Sequence, residues 1–206
     1  MAEQEIPTGM RDDARESWPP RTLIESFLGN FNFELRPGED TDIADTEAAQ
    51  SAARRFRDVL GRYCSGVTVV ASISDGEPVG MTCQSFSSIS LDPPLVMFSP
   101  AKTSRAWPLI QRAGHFCVSF LAEDQVEISN VMAGRGIDKF ADVAWSPSKT
   151  GAPLLDGVIG HVDCTIHAVH EAGDHYVVIG RVQEMDFADT ELDPLLFYKG
   201  AYRSVR

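Results

Sequence analysis

A long alternating stretch, VIGHVDCTIHAV from Val158 to Val169, constrains the fold of this chain more than any other feature. Its mainly apolar and mainly polar positions alternate, so that they fall on opposite faces of an extended strand. The turn residues EAGDH follow, and the apolar run YVVIGRVQEM brings the chain back. This pattern predicts an antiparallel hairpin of two long strands.

Shorter β signals occur on the N-terminal side of this hairpin. The runs GVTVVASIS, PLVMFS and HFCVSFLA are rich in β-branched and aromatic residues, and turn residues separate them. Helices are predicted at 46–61, from Thr103 or Ser104 to Gly114, and at 123–132. Several short strands with few helices predict a mainly β fold, an antiparallel barrel with a few peripheral helices.

The N-terminal part of the chain has a different composition. Residues 1–50 carry 12 acidic and 4 basic side chains, which is 8 of the 12 net negative charges of the chain. Four prolines and no sustained periodicity predict an acidic, partly disordered extension over 1–45, followed by one domain over 46–206. The apolar segment Leu23–Phe33 is predicted to form a short helix that docks on the domain or on a partner.

The net charge of −12 argues against nucleic acids and anionic membranes as partners. No apolar run approaches the roughly 20 residues that span a bilayer, and the N-terminus lacks the pattern of a signal peptide. A cytoplasmic location is therefore expected. The four cysteines, Cys64, Cys83, Cys117 and Cys164, contain no Cys-x-x-Cys pair. They are predicted to be reduced and partly buried.

Four histidines (His161, His167, His170 and His175) raise the possibility of a metal site. Residues 167 and 170 differ by an odd number, so in a regular strand they point to opposite faces. Asp163 and His167 alone make a poor zinc site. No metal is therefore expected, and neither a Rossmann nor a Walker A motif is present.

The segment GMTCQSFSSISLDPP, Gly80 to Pro94, places five hydroxyl groups between predicted strands. The segment PAKTSRAW follows, with Thr103, Ser104 and Arg105 at the predicted start of a helix, where hydroxyls, cations and free N–H groups bind anions. Taken singly, the first segment is also typical of a solvated edge strand and the second of an ordinary helix cap. Together they suit a ligand with a phosphate, a hydroxylated chain and a hydrogen-bonding ring, such as flavin mononucleotide.

Six segments occur in the order and spacing of a known family: RRFRDVLGRYCSGVTVVAS, GMTCQSFSSISLDPPLVMFS, FCVSFL, DKF, GDHYVVIGRV and PLLFYKGAY. From Ala53 to Tyr202 the chain resembles the flavin reductase family, the small reductase components of two-component flavin-dependent monooxygenases. The acidic extension lies outside the usual span of that family. The resemblance implies an antiparallel Greek-key FMN-binding split barrel and a homodimer with flavin near the subunit interface.

The resemblance also implies the residues of the site. Those expected to contact the flavin ring, its ribityl chain and its phosphate are Thr82, Cys83, Gln84, Ser85, Phe86, Ser88, Ile89, Thr103, Ser104 and Arg105. Arg135 is expected to reach the far end of the cofactor. Gln84 stands where many relatives carry asparagine. His175 is the expected catalytic residue on the nicotinamide side, with Tyr202 near it. The alternative role for His175 is to cap the hairpin turn.

The activity implied is NADH-dependent reduction of free flavin, FMN or FAD, for a partner oxygenase such as an aromatic or steroid-ring hydroxylase. The alternative is a split-barrel protein that holds flavin or haem without turnover, as a sensor or carrier. The GDH segment favours the enzyme, because a carrier needs no group on the nicotinamide side. A further hypothesis assigns the N-terminal extension to docking of the oxygenase.

Overall fold

A computed structural model describes residues 46–135 and 138–205. The acidic extension and its segment Leu23–Phe33 lie outside the described residues, and the domain boundary at residue 45 stays a prediction. The helices are α1 (Glu47–Leu60), α2 (Trp107–Ala113) and α3 (Val126–Ala133). The strands are β1 (Ser65–Gly66), β2 (Thr68–Ser74), β3 (Glu77–Cys83), β4 (Ser87–Leu91), β5 (Pro94–Phe98), β6 (His115–Phe120), β7 (Trp145–Pro147), β8 (Pro153–Leu155), β9 (Gly160–Ala172), β10 (His175–Phe187), β11 (Leu196–Tyr198) and β12 (Ala201–Arg203).

A seven-stranded antiparallel sheet with the order β3-β2-β6-β9-β10-β5-β4 forms the body of the domain. The predicted hairpin is β9–β10, and the predicted mainly β fold with few helices is confirmed. The pairing of this hairpin shifts register between Ile179 and Gly180 and again between Val182 and Glu184. A Cβ at Gly180 would collide with the ring of Phe116, so a side chain at this position would displace a core aromatic residue.

The hydroxyl-rich segment divides between two strands, β3 and β4, that lie at opposite ends of the sheet order. Ser85, in the link between them, accepts a hydrogen bond of 2.7 Å from the backbone N–H of Ser99, directly after β5. Because only residues 84–86 separate β3 from β4 along the chain, the sheet curls so that its two ends approach each other. This closure gives the split barrel that the family resemblance implies.

Two hydrophobic cores hold the curled sheet. The larger one contains three buried aromatic residues, Phe98, Trp107 and Phe116, and the Phe98 ring centroid lies 5.8 Å from that of Trp107 and 5.1 Å from that of Phe116. The smaller core includes Leu121 and Met132 and packs α3 against the sheet. Edge-to-face aromatic packing of this kind adds to the stabilisation from apolar burial.

Two helices begin later than predicted. The helix α2 begins at Trp107, so that Thr103, Ser104 and Arg105 lie in the turn before it. Ser104 Oγ accepts a hydrogen bond of 3.2 Å from the Trp107 N–H. A start at Thr103 would have placed Pro108 beyond the first turn, where its ring clashes with the preceding turn. The helix α3 begins at Val126 rather than at residue 123.

The helix α1 agrees with its prediction, and Thr46 caps it by accepting a hydrogen bond of 3.2 Å from the Ala49 N–H. No residue of α1 is buried.

Three of the four cysteines, Cys83, Cys117 and Cys164, are buried free thiols, whereas Cys64 is free and exposed. The prediction of a partly buried thiol is therefore wrong for Cys64. Burial, with the neighbouring Asp163 carboxylate, raises the pKa of Cys117 to about 12.

Asp163 on β9 is fully buried, although it alternates with apolar residues and lies on the mainly polar face of the strand. Its carboxylate accepts hydrogen bonds from the hydroxyls of Ser148 (2.9 Å) and Thr150 (2.7 Å) and from the Thr150 N–H (2.7 Å). These residues belong to the β7–β8 turn, which packs over this side of the sheet. Asp163 therefore anchors that turn to the central sheet.

Candidate active site

A cleft of about 900 Å³ lies along β3, an outer strand of the sheet. Because β3 pairs only with β2, alternate backbone groups along it face the cleft and are not used by the sheet. One wall is the turn 101–106 before α2, and the other is the C-terminal end of α3. The volume falls within the roughly 300–1,000 Å³ that is typical of small-molecule sites.

The cleft brings together residues that are distant in sequence. Ten of the predicted site residues line it: Thr82, Cys83, Gln84, Ser85, Thr103, Ser104, Arg105, Arg135, His175 and Tyr202. Three others do not. Phe86 packs on Phe120 with a centroid distance of 5.2 Å, while Ser88 and Ile89 are exposed on the outer strand β4. Contact of these three residues with flavin stays a prediction.

Backbone hydrogen bonds fix the first wall against the start of β10. The Tyr176 N–H donates to the Pro100 carbonyl and the Lys102 N–H to the Asp174 carbonyl, both at 2.9 Å. Ala101 pairs with His175 in an isolated β-bridge. The turn that carries Thr103, Ser104 and Arg105 therefore lies next to the GDH segment.

The His175 imidazole is oriented by its neighbour. Its Nδ1 lies 2.8 Å from Asp174 Oδ1. This hydrogen bond lowers the pKa of the exposed Asp174 carboxyl. A carboxylate at Nδ1 favours the tautomer with its proton there, which leaves Nε2 as the acceptor.

A hydrogen-bonded network builds the second wall. Thr82 Oγ1 donates to the Ser129 carbonyl at 2.6 Å, so β3 is tied to α3. The Tyr202 hydroxyl donates to Asn130 Oδ1 and contacts the Ser129 hydroxyl, both at 2.9 Å. The ring of Tyr202 is therefore held at the cleft by α3. Ser129 and Asn130 carry no signal in the sequence, because only the packing of α3 brings them to this position.

Three of the five hydroxyls in the hydroxyl-rich segment bond to the protein itself, that of Ser87 to the Ser88 carbonyl at 3.2 Å. Thr82 reaches the Ser129 carbonyl, and Ser85 bonds the backbone of Ser99. Cys83 Sγ lies 3.2 Å from Ser85 Oγ. Burial raises the pKa of the Cys83 thiol, which keeps it protonated and a poor nucleophile. Cys83 is thus a small neighbour of the site rather than a redox group.

The charge of the cleft is opposite to that of the chain. Three cationic side chains line it, Arg105 from the first wall and Arg135 and Lys139 from the second. No aspartate or glutamate is among the described lining residues, although the chain has a net charge of −12. A cationic cleft in an acidic protein concentrates anionic ligands.

These features fit a phosphorylated flavin. The cleft offers cations for phosphate, the hydroxyls of Thr103 and Ser104, and the free edge of β3 for a planar hydrogen-bonding ring. Among residues 46–135 and 138–205, no three His, Cys, Asp or Glu side chains come together as metal ligands. Within the same residues, none of the helices has the length and hydropathy needed to span a bilayer.

A split barrel with a cationic cleft along an outer strand fits the flavin-binding family that the sequence resembles. The profile of the flavin reductase like domain matches residues 60–206. The chain belongs to this family and is a flavin reductase.

Its relatives include reductase subunits of monooxygenases. The chain is 49% identical over 152 residues to the reductase subunit HsaB of a flavin-dependent monooxygenase from Rhodococcus jostii, covering 74% of this chain and 77% of that protein. It is 45% identical over 148 residues to a flavin reductase from Pseudomonas putida, covering 71% of this chain and 86% of that protein.

Solved structures show the same fold. Nitrilotriacetate monooxygenase component B from Mycobacterium thermoresistibile superposes with a TM-score of 0.75 at 46% identity, over 76% of this chain and 88% of that chain. The NADH:FAD oxidoreductase SgcE6 from Streptomyces globisporus, in complex with NAD and FAD fragments, gives a TM-score of 0.71 at 33% identity, over 76% of this chain and 94% of that chain.

Proposed function

We propose that this protein uses NADH to reduce free flavin, FMN or FAD, and supplies the reduced flavin to a partner oxygenase. The observation that carries the proposal is the cationic cleft along the free edge of β3, with the GDH segment at its rim. Both substrates carry negative charge on their phosphates and react through a planar ring, which suits such a cleft.

In the proposed binding mode, different parts of the cleft contact different parts of the two ligands. Thr103, Ser104 and Arg105 hold the flavin phosphate, and residues 82–85 lie along the ring and the ribityl chain. His175 and Tyr202 border the position of the nicotinamide. All of these residues line the cleft, and Arg105 pairs with phosphate as a planar donor.

The chemistry belongs mainly to the flavin, which when bound supplies the hydride acceptor. The protein contributes orientation. It holds the flavin ring and the nicotinamide ring close together in one cleft, and this proximity alone can raise the rate of hydride transfer by a large factor. His175, oriented by Asp174, directs the nicotinamide amide or stabilises charge near it. Backbone N–H groups of β3 and of the link after it stabilise negative charge at the pyrimidine end of the ring.

The proposed biological unit is a homodimer in the cytoplasm that works with an aromatic or steroid-ring hydroxylase. Free thiols at all four cysteines suit a reducing compartment. The name of the Rhodococcus relative, a reductase subunit of a flavin-dependent monooxygenase, supports the partnership with an oxygenase.

The proposal is tested by steady-state NADH oxidation with FMN, FAD or riboflavin and a control without flavin. We expect saturable oxidation that depends on added flavin, because the cleft is open and flavin acts as a substrate. Coupled hydroxylation with a partner oxygenase then identifies the recipient of reduced flavin. Flavin binding without NADH oxidation would favour the alternative, a sensor or carrier.

A further inference from the structure

Lys139 links the second wall of the cleft, the end of α3, to β3, the strand along which the cleft lies. Its ammonium donates hydrogen bonds to the Met132 carbonyl on α3, at 2.7 Å, and to the Gly80 carbonyl on β3, at 3.1 Å. The packing beneath this link is tight, because a Cβ at Gly80 would lie 3.0 Å from Phe140 Cζ. Lys139 therefore fixes the distance between the end of α3 and the edge of β3.

The Met132 carbonyl belongs to the last turn of α3, where carbonyl groups lack partners within the helix. The Gly134 N–H satisfies the carbonyls of Asn130 and Val131, and Lys139 satisfies that of Met132. The C-terminal end of a helix carries partial negative charge, and here it faces the cleft through Met132, Ala133 and Gly134. Lys139 therefore offsets a partial negative charge that would weaken the binding of an anion at this wall.

The cations of the cleft form two groups on its two walls, Arg105 on the first wall and Arg135 and Lys139 on the second. Arg105 belongs to the turn in which Ser104 Oγ lies 3.5 Å from Met81 Sδ. Lys139 bonds to Gly80, the neighbouring residue on the strand, whose side of β3 packs against α3. Arg135 lines the cleft just after the end of α3. Because FMN has one phosphate, the first group is sufficient for it, and the second is left for another anion.

We propose that Arg135 and Lys139 form a second anion subsite, which takes the diphosphate of a dinucleotide. Lys139 acts there as a positioning residue: it neutralises the end of α3 and holds the wall from which Arg135 extends. The diphosphate belongs either to FAD or to NADH, and both present the same chemistry to the two cations. This inference rests on the proposed function in placing the flavin phosphate at Arg105.

Partial burial also lowers the pKa of the Lys139 ammonium. The two carbonyl acceptors favour the charged form of Lys139, and an anion beside it would do the same. A bound diphosphate would therefore raise this pKa.

The test measures dissociation constants on the full chain, by quenching of flavin fluorescence for FAD, FMN and riboflavin and by calorimetry for ADP-ribose. We expect Lys139→Met to weaken FAD, ADP-ribose or both by about tenfold. FMN and riboflavin should stay within about twofold, since they lack a diphosphate. Lys139→Arg, which keeps charge and donors, should restore most of the affinity.

The matched control is Lys149→Met, which removes the same charge from an exposed lysine that also donates to a carbonyl, that of Gln183, at 3.1 Å. If Lys139→Met does not fold, Lys139→Gln serves for the same comparison. A loss confined to FAD assigns the subsite to the flavin dinucleotide, and a loss confined to ADP-ribose assigns it to the nicotinamide dinucleotide.

Equal weakening of all four ligands, or no weakening of FAD and ADP-ribose, would overturn the subsite. The proposed function fails separately, if wild-type protein binds these ligands but does not oxidise NADH when flavin is added.

Discussion

Replacement of His175 with alanine is expected to lower kcat for NADH oxidation by about 10- to 100-fold, because a misplaced hydride donor reacts far more slowly. The imidazole lies at the rim of the cleft and is oriented by Asp174 at 2.8 Å. The dissociation constant for FMN should change little, since the proposed phosphate contacts are on the turn 101–106. Steady-state kinetics and flavin fluorescence measure the two quantities.

The control for this variant is His170→Ala on the same hairpin. His170 is exposed on β9 and is not among the residues that line the cleft. We expect it to retain wild-type kcat. Equal kcat values for the two variants would show that His175 only caps the turn, and would remove it from the catalytic site.

Replacement of Asp163 with alanine is expected to lower the free energy of unfolding by about 3–5 kcal/mol. The carboxylate is fully buried. Its loss leaves two hydroxyls and the Thr150 N–H without their acceptor. Unfolding in urea, followed by circular dichroism, gives the free energy directly.

Asp156→Ala provides the comparison for this variant, because Asp156 follows β8 and is exposed. Its free energy of unfolding should stay within about 0.5 kcal/mol of the wild type. A loss below about 1 kcal/mol for Asp163→Ala would mean that the β7–β8 turn does not depend on this carboxylate.

The β9–β10 hairpin and α1 could be predicted from the sequence. The hairpin has a long alternating pattern, and α1 has a long helical pattern with a cap residue next to it. The first residue of α2 could not be predicted from the sequence, because the hydroxyl residues before Trp107 are typical both of a helix start and of a turn. The hydroxyl-rich segment was one feature in the sequence but contributes to two outer strands, because the sheet order places β3 and β4 at opposite ends.

The residues of the cleft could also be predicted only in part from the sequence. The resemblance indicated Thr103, Arg105 and His175, and the structure places all three along one cleft. Lys139 had no assigned role, since its partners, Gly80 and Met132, are brought near it only by the packing of α3 on β3. The burial of Asp163 was not predicted, because strand alternation cannot show that the β7–β8 turn covers it.

The central claim is that flavin is reduced by NADH inside this cleft. Anaerobic mixing of equimolar protein, FMN and NADH, with flavin absorbance followed over time, tests it most directly. The comparison uses Thr103→Trp, which fills the cleft from an exposed lining position, and Thr190→Trp, exposed and outside the cleft lining. We predict rapid bleaching of the flavin with wild type and Thr190→Trp, at one NADH oxidised per flavin, and none above the uncatalysed rate with Thr103→Trp. Undiminished bleaching with Thr103→Trp would contradict the assignment of this cleft as the active site.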